Sequence, residues 1–151
     1  MDNSKRLRVL IAEDNDADMF MIRSALEASG VAVDIESAPD GRRALALIAL
    51  SEEAPARKFD GMILDRSLVG HNALEILTKV RGNPLLAQTP VVILTSFGSP
   101  ADRQQAESLG ISAFLLKPLG FDAYMEIGKQ IAELFLSAGS SISSNECEKR
   151  E

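Results

Sequence analysis

The chain has 151 residues and a formal charge of −6, from 22 acidic and 16 basic side chains, which makes one domain with a core large enough to need no covalent staple. Its single cysteine, Cys147, has no partner for an internal disulfide, so a reducing, cytoplasmic compartment is expected. One Tyr, no Trp and a net acidic balance leave neither a basic face nor stacking platforms, and direct binding of DNA or RNA is not expected.

Taken in chain order, the N-terminus MDNSKRLRVLIAED turns acidic after a short apolar run and has no signal-peptide core. That run, Leu7 to Ala12, is the first of five that are β-branched or apolar; the others are Val31 to Ile35, Phe59 to Leu64, Val91 to Thr95 and Ala113 to Leu116. Between the first two, Asn15 or Asp16 caps a helix that lines up Met19, Ile22 and Leu26 on one face and runs toward Gly30. Pro39, Asp40 and Gly41 open a second helix, Ser99 with Pro100 opens the fourth, and Gly110 stops it. The uncharged stretch at 82–101 is interrupted by Pro84, Pro90 and Pro100, so no membrane span is expected there. A fifth helix presents Tyr124, Ile127, Ile131 and Leu134, with Met125 and Phe135 alongside. After Leu136 the composition becomes Ser-rich and then charged, and residues 137–151 are expected to be a disordered tail with Cys147 exposed in it, with 1–136 as the folded domain and no output domain following. The alternation predicts an α/β fold of five βα units, too few for a closed eight-fold barrel.

In an open parallel sheet, ligands gather beyond the carboxyl ends of the strands where strand order reverses. The first run is followed by Glu13 and Asp14, the third by Asp65; the fourth ends in Thr95 and Ser96, and the fifth leads into Lys117 and Pro118. With strand order 2-1-3-4-5, these ends surround one pocket. Converging carboxylates repel unless a cation joins them, and Mg²⁺ suits one or two of them plus a backbone carbonyl, with Asp14 and Asp65 as direct ligands and Glu13 outside. No His or Cys cluster points to zinc. Asp65 beside a metal, a hydroxyl and an ammonium is also equipped for phosphoryl transfer as nucleophile. Each residue alone has a plainer role: a helix cap for the acids at 13–18, a turn residue for Asp65, a solvated charge for Lys117. Their coincidence at one switch point favours the chemistry. His71, the only histidine, is read as a solvated loop residue.

The segments VLIAEDN at 9–15, DGMILDRSL at 60–68, PVVILTS at 90–96 and SAFLLKP at 112–118 together resemble the receiver domain of two-component response regulators over about Leu7 to Leu136. The resemblance implies a flavodoxin-like, doubly wound (βα)5 fold and Mg²⁺ held by Asp14, Asp65 and the Ser67 backbone carbonyl with help from Glu13. It implies phosphorylation of Asp65 by a histidine kinase, with Thr95 and Lys117 at the phosphoryl group, and a cis peptide between Lys117 and Pro118. Thr95 and Phe114 become a switch pair that reshapes the face of the fourth helix, fifth strand and fifth helix. The stretch RGNPLLAQTPVVILTS is similar to small regulators that accept phosphate from bacterial phytochromes, relatives that often form homodimers through that face. Such a protein is a switch rather than a turnover enzyme.

Val69 stands where this family commonly has Pro and Ala73 where it has Gly, so the loop is expected to sit differently and to hold Ser67 less rigidly. Phe97 is bulky beside the expected phosphoryl position, and slow dephosphorylation is expected. Two other readings compete. A haloacid dehalogenase-type phosphohydrolase also uses Asp and Mg²⁺ but needs an Asp two positions later, where Ser67 stands. A docking module would keep the fold without the chemistry. A flavodoxin proper would need a phosphate-cradling loop where this chain has acids.

Overall fold

A computed structural model describes the backbone of residues 6–149 and the side chains of 6–54 and 56–139. Five strands alternate with five helices: β1 Leu7–Ala12, α1 Asp16–Glu27, β2 Val33–Ala38, α2 Gly41–Glu53, β3 Gly61–Leu64, α3 Ala73–Arg81, β4 Val91–Thr95, α4 Pro100–Ser108, β5 Ala113–Leu116 and α5 Phe121–Lys149. The sheet is parallel throughout, in the order β2-β1-β3-β4-β5, the flavodoxin-like arrangement expected. β1, β4 and β5 have the expected bounds. β2 instead runs from Val33 to Ala38, and β3 begins at Gly61 rather than Phe59.

Alternation along the strands divides the core into two layers. Leu10, Ala12, Met62, Leu64, Val91 and Ile93 meet α2, α3 and Ala106 of α4 on one side. Leu7, Val9, Ile11, Ile63, Val92 and Leu94 meet α1 and α5 on the other. On α5 the innermost residues are Tyr124, Ile131, Ala132 and Phe135; Leu134 and Ile127 are only partly buried. Phe135 lies flat on Gly61, where a Cβ would stand 2.5 Å from the ring. That fit also explains why the strand tolerates a glycine.

The caps follow the expected residues. Asn15 accepts from Asp18 N–H, Asp40 from Arg43 N–H, and Ser99 forms a reciprocal capping box with Asp102 ahead of Pro100. Gly110 ends the α4 segment at φ +74°. α5 carries helical backbone through Lys149, so backbone expected to be a disordered tail from 137 is helical that far. The exposure expected for Cys147 lies outside the described residues.

No peptide bond among the described residues is cis, which corrects the expectation for Lys117–Pro118. Trans is the lower-energy isomer, and Lys117 reaches the pocket without the other one: its N–H donates to the Thr95 carbonyl at 2.7 Å, extending the β4–β5 ladder by one step. No described helix is long and apolar enough to cross a membrane.

Candidate functional site

Sheet register builds the site. Ala12 pairs with Leu64, so the residues that follow each, Glu13 and Asp65, emerge side by side. Asp65 N–H donates to the Ala12 carbonyl at 3.0 Å and Glu13 N–H to the Ala38 carbonyl at 3.0 Å. Thr95 pairs with Leu116, which sets Lys117 one step beyond the hydroxyl. Every one of these positions is fixed by a backbone ladder rather than by a loop.

Carboxylate oxygens of Glu13, Asp14 and Asp65 lie within 4.8 Å of one another. Glu13 and Asp65 are buried, at 2% and 7% exposure, and Asp14 faces solvent. Asp65 Oδ1 accepts from Ser67 N–H at 2.9 Å and from Thr95 Oγ1 at 3.2 Å, while Oδ2 accepts from Lys117 Nζ at 2.7 Å. Thr95 also reaches the Phe97 carbonyl at 3.2 Å. The same ammonium stands 2.8 Å from Glu13 Oε1 and 2.7 Å from Asp18 Oδ2. The Glu13 contact is close but poorly aimed, and Oε1 has no hydrogen-bond partner of good geometry; an oxygen buried in that state is suited to a cation.

The charges respond accordingly. Burial pushes the Glu13 carboxyl up to about 7 against the partial relief supplied by Lys117 and Asn15 N–H. Burial acts the same way on Asp65, but there the Lys117 ammonium and Ser67 N–H win and hold it below its ordinary value. Lys117 is pulled down by burial and up by Asp18, Asp65 and Glu13, with the carboxylates prevailing. A proton bound by the Glu13–Asp65 pair therefore sits on Glu13, which is about half protonated near pH 7, and the ammonium stays charged.

This constellation at the carboxyl ends of β1, β3, β4 and β5 agrees with the sequence comparison, in which the response regulator receiver domain family matches residues 9–128. The chain belongs to that family. Among relatives of this receiver, the probable methanogenesis regulatory protein FilR2 of Methanothrix harundinacea is 31% identical over 128 residues, covering 85% of this chain and 83% of FilR2. The response regulator PleD of Caulobacter vibrioides is 30% identical over 112 residues, covering 74% of this chain but only 23% of PleD. Among solved structures, the phosphorylated cyanobacterial phytochrome response regulator RcpA superposes with a TM-score of 0.79 at 28% identity, over 88% of this chain and 96% of that one. The bacteriophytochrome response regulator AtBRR gives 0.67 at 29% identity, over 86% and 94%.

Of the residues singled out in the sequence, Glu13, Asp14, Asp65, Thr95 and Lys117 come together in this receiver. Phe114, the expected switch partner of Thr95, packs at the approach to α4. Its ring is buried, 5% exposed, against Gly98, with the Arg103 guanidinium 5.0 Å from its centroid. Ser67 contributes its N–H to Asp65. Phe97 is 75% exposed, its ring turned to solvent. The loop that lacks the usual Pro and Gly is held otherwise: the Val69 carbonyl accepts from Gly41 N–H at 2.8 Å, and a Cβ on Gly41 would stand 2.0 Å from the His71 carbonyl oxygen. His71 sits 3.8 Å from Glu75, away from the chemistry.

Sequence reasoning missed two polar residues. Asp18, one turn into α1 from Asp14, was absorbed into a helix-capping acidic run; its spacing of four from Asp14 was the available signal. Arg66, next to Asp65, reaches across to α4 and grips Asp102, with Nη2 donating at 3.1 Å and Nε 3.0 Å from the other oxygen but poorly aimed. Nothing local in the sequence marks that pairing.

Proposed function

We propose that this receiver is a phosphorylation switch in which Asp65 accepts a phosphoryl group from a histidine kinase in a Mg²⁺-dependent reaction. The observation that carries the proposal is Asp65 itself: a buried carboxylate kept ionised by Lys117, with Thr95 and Ser67 N–H on its other oxygen. An ionised carboxylate is the form that attacks phosphorus. The new bond is Asp65 Oδ–P, and the bond that breaks is P–N of the donor's phosphohistidine, whose imidazole keeps the electron pair and takes up a proton. Lys117 and Thr95 stand where they can neutralise and orient the equatorial oxygens.

Glu13, Asp14, Asp65 and the Ser67 carbonyl would hold the metal, as a hard, oxygen-only donor set suits Mg²⁺. When bound, the ion supplies charge neutralisation at the phosphoryl oxygens. The likeness to RcpA and AtBRR supports a sensor kinase of the phytochrome type as partner. Exposed Leu116, Leu119 and Phe121, on β5 and the approach to α5, support a homodimer through the α4-β5-α5 face. The acidic chain with its lone cysteine supports a cytoplasmic location.

Incubation with Mg²⁺ and acetyl phosphate followed by intact mass tests the reading. The expected result is a gain of one phosphoryl group that is lost in Asp65→Asn and on chelation. No gain in a natively folded wild type overturns it and leaves the docking module.

A further inference from the structure

The Lys117 ammonium has three N–H donors and three carboxylates around it, and one of the three is outside the metal-binding trio. Asp18 belongs to the first turn of α1 and holds Nζ at 2.7 Å through Oδ2. A phosphoryl group on Asp65 offers the ammonium a more highly charged partner, and the donor aimed at Asp18 is one it can redirect. Asp18 would then be a partly buried carboxylate that has lost its cation, a costly state unless another donor replaces it.

A donor is at hand on α5. Tyr124 is 5% exposed, and its hydroxyl has no hydrogen-bond partner among the described residues. Side chains on a helix lean toward its N-terminus, so Tyr124, near the start of α5, and Asp18, near the start of α1, both lean toward the pocket end of the molecule. The two helices touch: a Cβ on Gly128, one turn beyond Tyr124, would stand 2.4 Å from Ala25 Cβ on α1. Burial, and next the Asp18 charge, raise the phenol above its ordinary range, with Lys117 acting the other way. The hydroxyl therefore feels the charges of the pocket, Asp18 before Glu13 and Asp65.

We propose that Asp18 is a positioning residue that anchors Lys117 at rest and, when the ammonium turns to a phosphoryl group on Asp65, exchanges it for the Tyr124 hydroxyl, tying the state of the site to α5. The exchange rests on the reading of Asp65 as phosphoacceptor. It moves hydrogen bonds only.

The chain contains one Tyr and no Trp, so its emission under 280 nm excitation reports Tyr124 alone, and a phenol that donates to a carboxylate is quenched. Phosphorylation of the wild type with acetyl phosphate and Mg²⁺, with occupancy read by intact mass, is expected to cause loss of tyrosine emission. Asp18→Asn, compared at equal phosphoryl occupancy, is expected to keep its emission, while Asp18→Glu restores the quench. Constant emission in a wild type that has gained the phosphoryl mass overturns the exchange and leaves the phosphoacceptor reading standing, as does an equal loss in Asp18→Asn. Absence of the mass gain overturns the phosphoacceptor reading instead. Constant emission in the wild type overturns the exchange even where a variant folds poorly.

Discussion

Glu13 and Asp65 are both carboxyl groups, stand at the same height above the sheet and share Lys117, yet their pKa values shift in opposite directions. Asp65 has three donors on its two oxygens, Ser67 N–H, Thr95 Oγ1 and Lys117 Nζ; Glu13 has Asn15 N–H on Oε2 and only a misaligned ammonium at Oε1. Burial therefore wins at Glu13 and loses at Asp65. The consequence for stability has a definite sign. Glu13 rises from 4.5 to about 7 on folding, so between those values the metal-free folded chain binds a proton that the unfolded chain has released. Stability contributed at this site must fall as pH climbs through that window. Asp65 is shifted the other way, and its contribution is complete above 3.8 and lost only as pH falls below it. The thermal midpoint of metal-free protein is expected to drop between pH 5 and pH 7.5, and the Glu13→Gln variant to flatten that drop. A wild-type midpoint that rises across the window would contradict the assignment of the proton to Glu13.

Among the elements, α4 is set apart by how little apolar surface it buries: only Ala106 is buried, where α3 buries five residues. What holds α4 is polar and concentrated at its first turn. Arg66 grips Asp102, Asp102 and Ser99 close the capping box, and Arg103 covers the Phe114 ring. An element fastened by one turn of polar contacts opens at lower free energy than one packed along its length. Its backbone amides are expected to exchange with deuterium faster than those of α3. Arg66→Ala is expected to speed exchange in α4 by roughly three- to tenfold, about 1 kcal/mol for a partly buried, singly hydrogen-bonded ion pair, and leave α3 unchanged; equal rates in the two helices before mutation would refute the picture.

The same contrast explains what could be read from the sequence. β1, β4 and β5 were legible because each is a short apolar run whose ends coincide with a change to polar residues, and Glu13, Asp14, Asp65, Thr95 and Lys117 were legible because they sit at those changes. β2 was misplaced because Val31 and Ala32 look as strand-like as Ile35, and only pairing with β1 selects Val33–Ala38. Asp18 and Arg66 act through contacts 99 and 36 residues distant along the chain, which no local pattern encodes.

For the molecule as a whole, the acids matter because of which strands carry them. β1 and β3 are neighbours within the sheet, and a cation shared by Glu13, Asp14 and Asp65 would bridge their ends across about fifty residues of intervening chain. The unfolded chain does not hold the three within 4.8 Å, so the ion binds the native state preferentially and stabilises all of it. At a concentration a hundredfold above its dissociation constant that linkage amounts to about 2.7 kcal/mol, which for a chain of this length is roughly 5–10 °C in midpoint. Mg²⁺ is expected to produce a rise of that order at pH 8 and a smaller one at pH 5.5, where the proton on Glu13 competes with it. Asp65→Asn should abolish the rise, whereas Asp34→Asn, at the Arg6 pair on the edge strand β2, should leave it intact. A midpoint indifferent to Mg²⁺ in the wild type would mean that the three carboxylates are gathered without serving a metal, and a rise that survives in Asp65→Asn would move the site of binding elsewhere.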